Sequence, residues 1–168
     1  MSRVLLLFPL ALLAATVTAA VSARFVPAGI AQPVGFDHAR HAQEDLACLD
    51  CHRTAETSPH ASLPRMSSCL VCHAEPKGES PEEAKLLEFV RKKEEVPWVQ
   101  VNRMPGHVYF SHAVHVKLAQ MECAACHGDM ASMTSPVTAS QVGNLTMQRC
   151  MECHVDKGAS NDCLACHK

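Results

Sequence analysis

The chain has 168 residues, with 15 Lys and Arg against 17 Asp and Glu and a formal net charge of −2, which excludes a generally basic nucleic-acid binder and an acidic disordered tail. One Trp, one Tyr and five Phe stand beside ten Cys and eleven His. One or at most two domains of this length cannot fill an interior with so few rings, so something other than polypeptide is expected to form the core.

Residues 1–23 read as a targeting segment. Met1 to Arg3 is a short basic start, and Val4 to Ala23 carries no charge. Val21-Ser22-Ala23 has the small-x-small form of a cleavage site, which suits an export signal. The same 20 residues also span about 30 Å as a helix, the length of a membrane anchor. Either reading places residues 24–168 outside the cytoplasm.

Phe36-Asp37-His38-Ala-Arg-His41 comes next, shortly before Cys48-Leu-Asp-Cys51-His52. His38 and His41 are three apart, so a helical turn sets them on one face. His60 follows, and Met66 precedes Cys69-Leu-Val-Cys72-His73 by three residues. Ser80-Pro81-Glu82-Glu83 is a helix start, with a Ser cap and Pro at the first helical position. A helix is expected from about 81 to 94, with Glu88 and Lys92 four apart on one face. It lies in a charged segment of about 80–95, read as a solvated spacer or, alternatively, a docking surface for a redox partner.

His107 precedes a second F-x-H-x-x-H, Phe110-Ser111-His112-Ala-Val-His115, which leads into Cys123-Ala-Ala-Cys126-His127. Met147 lies three residues before Cys150-Met-Glu-Cys153-His154, matching Met66. The last motif, Cys163-Leu-Ala-Cys166-His167, ends the chain. The order of parts repeats, so residues 36–73 and 110–154 form two dihaem-type modules and 163–167 is an addition.

All ten Cys fall into five C-x-x-C pairs, each followed directly by His. A disulfide scaffold leaves those five His unexplained, and zinc ribbons do not require a His after each pair. Covalent c-type haem attachment requires all three positions: two thioethers fix the porphyrin, and His52, His73, His127, His154 and His167 supply proximal ligands. Five covalently bound haems leave about 29 residues of the exported part for each, too few to wrap them singly. They are expected to stack into a common core wrapped by loops and short α-helices, with little or no β-structure. Six His remain for the distal positions: His38, His41, His60, His107, His112 and His115. Five bis-His haems need five. Met66 and Met147 are expected to pack against porphyrin faces rather than to ligate.

F-x-H-x-x-H ahead of C-x-x-C-H resembles the class III cytochromes. A longer match is carried by Ser58-Pro-His60-Ala-Ser-Leu-Pro64, by Val96-Pro-Trp98-Val-Gln-Val-Asn102-Arg-Met-Pro105-Gly-His107-Val-Tyr109-Phe110-Ser-His112, and by Leu145-Thr-Met147. Over about residues 33–154 these are similar to the pentahaem subunit of alternative complex III and to the multihaem subunit of related menaquinone reductase complexes. The resemblance implies a class III-like fold and no catalytic residues. It also implies an electron carrier of the respiratory chain, working between a membrane quinol-oxidising complex and a periplasmic acceptor. Residues 4–23 would then serve as an inner-membrane anchor. It implies that His38 and His112 ligate the haems of their own modules, while His41 and His115 reach haems attached elsewhere. The family usually has His in place of Asn102, which implies another donor for one iron: His107 or His60, with Met104 weaker. Two other readings remain: a small multihaem reductase of nitrogen or sulfur oxyanions, which would show high-spin haem, and a subunit of a conductive filament, visible in micrographs.

Overall fold

The computed structural model describes residues 29–143 and 145–167. The leader expected at 1–23 lies outside the described residues. Among those described, no helix is long and apolar enough to cross a membrane.

Among the described residues seven α-helices, most of them a single turn, are joined by loops. α1 spans His38–Ala42 and is started by Asp37, whose Oδ1 accepts from the Arg40 amide at 2.8 Å. α2 (Cys48–Cys51) is closed by Asp50, whose carboxylate accepts from the Ala47 amide at 2.8 Å. α3 spans Met66–Cys69. α4, Pro81–Lys92, is the longest among the described residues. Ser80 caps it, Pro81 sits where a missing N–H costs nothing, and Glu82 and Glu83 meet the positive end of the helix. It stops two residues short of the expected end because Lys93 turns left-handed, with φ 56°. A π-helical turn covers Ala113–Leu118, followed by α5 (Ala124–His127) and a 3₁₀ turn at Met130–Ser132. α6 (Met147–Asp156) has Thr146 as its cap, and α7 (Cys163–Cys166) has Asp162. The only β-pairing among the described residues is an isolated antiparallel bridge between Val108 and His167, in keeping with an architecture of loops and short helices.

The polypeptide's own core is small. Val34, Met66, Leu86 and Val96 are buried together, with Cys69, Phe89, Val90 and Trp98 packed around them. Three of these, Leu86, Phe89 and Val90, come from one face of α4. This corrects the reading of the segment as a solvated spacer, because its apolar stripe meets partners drawn from positions 34, 66 and 96. Glu82 adds a second tie, accepting from the Gly35 amide at 2.5 Å. A Cβ at Gly35 would meet that carboxylate at 2.9 Å, so a larger residue there would push the Glu82 side chain aside.

The two F-x-H-x-x-H segments adopt the same local form. Phe36 stands edge-on to His38 at 4.7 Å and stacks on His41 at 4.2 Å, with interplanar angles of 80° and 22°. Phe110 does the same to His112 and His115, at 4.9 and 4.7 Å and 87° and 25°. In each case the second ring's Nδ1 lies against the carbonyl four residues earlier, His41 on Asp37 at 2.7 Å and His115 on Ser111 at 2.8 Å. The aromatic residue therefore works as a wedge that splays the two imidazoles apart.

Candidate functional site

Each C-x-x-C-H folds as one helical turn. The His amide donates to the carbonyl of the first Cys in four of them: His52 to Cys48 and His73 to Cys69 at 2.8 Å, His127 to Cys123 at 3.0 Å, and His167 to Cys163 at 2.9 Å. The other, Cys150–His154, lies wholly within α6. One turn carries both thiols on one side and sends the imidazole out beside them, since residues three and four apart are neighbours on a helix.

The imidazoles then meet in pairs. His112 faces His127 with ring centroids 6.3 Å apart and planes within 4°. His41 faces His73 and His115 faces His154, both at 6.2 Å, tilted by 46° and 32°. An imidazole nitrogen sits about 2.0 Å from a bound first-row metal ion and about 1.1 Å ahead of its ring centroid, so two rings that held one such ion between them would stand about 6.2 Å apart. Three pairs have that spacing. His107 and His167 stack closer, at 5.5 Å and 13°, drawn together by the Val108–His167 bridge and by the Tyr109 amide donating to the Cys166 carbonyl at 2.7 Å. His38 is the electrostatic neighbour of His52: burial pushes its pKa down first, and the charges of His52 and then His41 add to that. Burial likewise lowers His127, helped by His112 and His52. A lowered pKa favours the neutral ring, the form a metal ligand must have.

The outward nitrogen of most rings is set by what holds the inward one. Nδ1 of His52 lies on the Ser62 carbonyl at 2.8 Å, that of His112 on the Pro59 carbonyl at 2.9 Å, and that of His154 on the Ser160 carbonyl at 2.6 Å. With Nδ1 donating, Nε2 carries the free lone pair. His38 differs: its Nδ1 is buried without a partner among the described residues, as expected where a polar group that is not polypeptide lies alongside.

The thiols form a series in space. Burial raises the pKa of Cys51, Cys69, Cys123, Cys126 and Cys150 first, and thiols of other motifs contribute to four of these. Cys69 has Cys51 as neighbour, Cys123 lies near Cys48, Cys126 lies near Cys153 and Cys150, and Cys150 lies near Cys166. The motifs thus follow one another in the order second, first, third, fourth, fifth.

Of the six His outside the motifs, five fall into pairs and His60 does not. His60 is exposed, and its bonds run through the backbone, from its amide to the Ser58 Oγ and from the Thr54 hydroxyl to its carbonyl. Its neighbours have another task. The Pro59 carbonyl accepts from both the amide and the Nδ1 of His112, and the Ser58 carbonyl accepts from Ala113. This strut carries no residue-type signature and was missed in the sequence. Asn102 offers its carbonyl to the Gln100 side chain. The two matching Met residues part company: Met66 is 8% exposed in the protein core, whereas Met147 is 61% exposed and lines an open groove with Met151, Val155 and Asn161. Met66 has α4 beside it, and Met147 does not.

Two family models match. The class III cytochrome C family covers residues 14–99, with the first two motifs, and cytochrome c7 and related cytochrome c covers 108–168, with the other three. The chain is 31% identical over 161 residues to the menaquinone reductase multiheme cytochrome c subunit of Nitratidesulfovibrio vulgaris, spanning 82% of this chain and 77% of that protein. It is 26% identical over 153 residues to the cytochrome c-type protein NrfB of Escherichia coli O6:H1, spanning 78% and 76%. With thiol turns suited to thioether attachment and imidazoles facing one another, the chain belongs to the class III cytochrome c family, as a multihaem electron-transfer protein with covalently bound c-type haem.

Proposed function

We propose that the chain carries five c-type haems, each closed by two His, and relays electrons outside the cytoplasm between a membrane quinol-oxidising complex and a periplasmic acceptor. The Cys pairs of all five motifs would hold the porphyrins. The axial pairs would be His38 with His52, His41 with His73, His112 with His127, His115 with His154, and His107 with His167. When bound, each haem supplies a one-electron iron couple. The protein's part is to fix both imidazoles, exclude exchangeable ligands and hold neighbouring sites close.

The carrying observation is the pairing of imidazoles at 6.2–6.3 Å, with Nδ1 of each ring in two of these three pairs tied to a protein acceptor. An iron with two fixed protein ligands has no open position for a substrate, which favours a relay over a reductase. The continuous thiol series supports short steps between neighbouring sites. The resemblance to a subunit named for menaquinone reductase supports a quinol-linked membrane complex as partner. Residues 4–23 would direct export, and either leave with cleavage or hold the protein at the inner membrane.

Affinity purification from native membranes tests this reading. The chain should bring down a quinone oxidoreductase complex, and adding a reduced menaquinone analogue should reduce the haems within that preparation. A chain that co-purifies with no membrane redox protein, or whose haems stay oxidised, would contradict it.

A further inference from the structure

The second motif is supported differently from the others. His41, His52, His112, His115 and His154 each rest their Nδ1 on a neutral backbone carbonyl. His73 rests its Nδ1 on a carboxylate, Oε1 of Glu83, at 2.7 Å. The same carboxylate accepts from the Lys77 amide through Oε1 and from the Gly78 amide through Oε2, both at 2.8 Å. Three N–H groups point at it and it has only acceptor roles, the bonding pattern of an ionised carboxylate. Its side chain is 9% exposed, against 22% for that of His73.

The placement is also rigid. Glu83 sits in the first turn of α4, where the helix end favours negative charge. α4 is pinned through Leu86 to the core and through Glu82 to the Gly35 amide. A support held on both sides keeps its hydrogen-bond geometry through a change in charge at the ligand.

We propose that Glu83 is a positioning residue that tunes the iron site of His73 and His41, giving the His73 ring imidazolate character and holding this site at a lower reduction potential than it would otherwise have. A carboxylate on the far nitrogen makes the ligand more basic, and a more basic ligand favours the ferric over the ferrous state. The inference rests on the reading of His73 as an axial ligand.

The test uses the full, haem-loaded protein. Glu83→Gln keeps the shape and removes the charge. Glu88→Gln is the control, since Glu88 is an exposed carboxylate on the same helix. Intact mass and electron paramagnetic resonance come first, to establish that each variant has its full haem set in the low-spin state. Redox titration at one fixed pH then reads the potentials, and paramagnetic NMR of the haem methyls assigns the one that moves. In Glu83→Gln one site should shift toward easier reduction by roughly tenfold in its reduction equilibrium, equal to about 59 mV for a one-electron couple. Glu88→Gln should leave every potential in place. Unchanged potentials in a fully loaded, low-spin Glu83→Gln protein would overturn the proposal, as would a shift spread evenly over all sites. If Glu83→Gln does not load fully, Glu83→Asp decides: it keeps the charge one methylene back, and a smaller upward shift at one site supports the role while no shift overturns it. High-spin iron at the His73 site of the unmodified protein would instead overturn the ligation reading, and the proposal with it.

Discussion

His107→Ala and His60→Ala form the sharpest pair of substitutions, because composition alone treats these residues alike. His107 stacks on His167 at 5.5 Å, whereas the His60 bonds are made by backbone atoms that an Ala retains. The contacts that dock the C-terminal motif also run through the backbone, from Tyr109 to Cys166 and between Val108 and His167. They survive His107→Ala, so the motif should stay in place with one axial ligand missing. One site in five is then open, so His107→Ala should bind about one carbon monoxide per chain when reduced and turn about a fifth of the iron high-spin. His60→Ala should do neither. Carbon monoxide difference spectra and electron paramagnetic resonance on the two variants and the parent read this directly. The reverse pattern, with His60→Ala opening a site and His107→Ala silent, would refute the pairing.

Leu86→Ala removes the α4 contribution to the buried cluster and should cost about 2–5 kcal/mol, seen as an earlier thermal transition of the haem-loaded protein; a change under about 0.5 kcal/mol would argue against that cluster. Met66→Leu should cost less than about 1.5 kcal/mol, and neither it nor Met147→Leu should alter the haem absorption spectrum, since neither sulfur is needed as a ligand. The hydrogen bond from Lys85 and the Gly35 amide hold the Glu82 carboxyl below the usual carboxylate range. Its folded-state pKa is depressed, so its contribution is present above the unfolded value and lost as pH falls through the folded one. Glu82→Gln should flatten that acid limb of the stability curve, measured by denaturant titration against pH.

The attachment motifs were legible because their spacing is dictated by covalent chemistry, and a helical turn presents Cys48 and Cys51 alike in any surroundings. The repeat of Phe36-to-His41 at Phe110-to-His115 was legible for the same reason: the wedge is local. The spacer was half legible. Ser80 and Pro81 announced where α4 begins, but the face buried by Leu86, Phe89 and Val90 depends on Val34, Met66 and Val96, which are distant in sequence. Glu83 looked like one more first-turn acid, and its contact with His73 needed the loop through Lys77 and Gly78 to close. The Pro59 carbonyl that orients His112 lay beyond sequence reading, since every residue has a carbonyl. The same strut satisfies the amides of His112 and Ala113, which have no intrahelical acceptor at the start of the π-helical turn at Ala113–Leu118.

Intact mass of the purified protein under denaturing conditions tests the central claim most directly. Thioethers survive denaturation and acid extraction, so the mass should exceed that of the processed polypeptide by five haems, with none of the ten Cys left to react with a thiol reagent. A mass short by one or more haems, free thiols, or haem that leaves with acidified acetone would contradict the account.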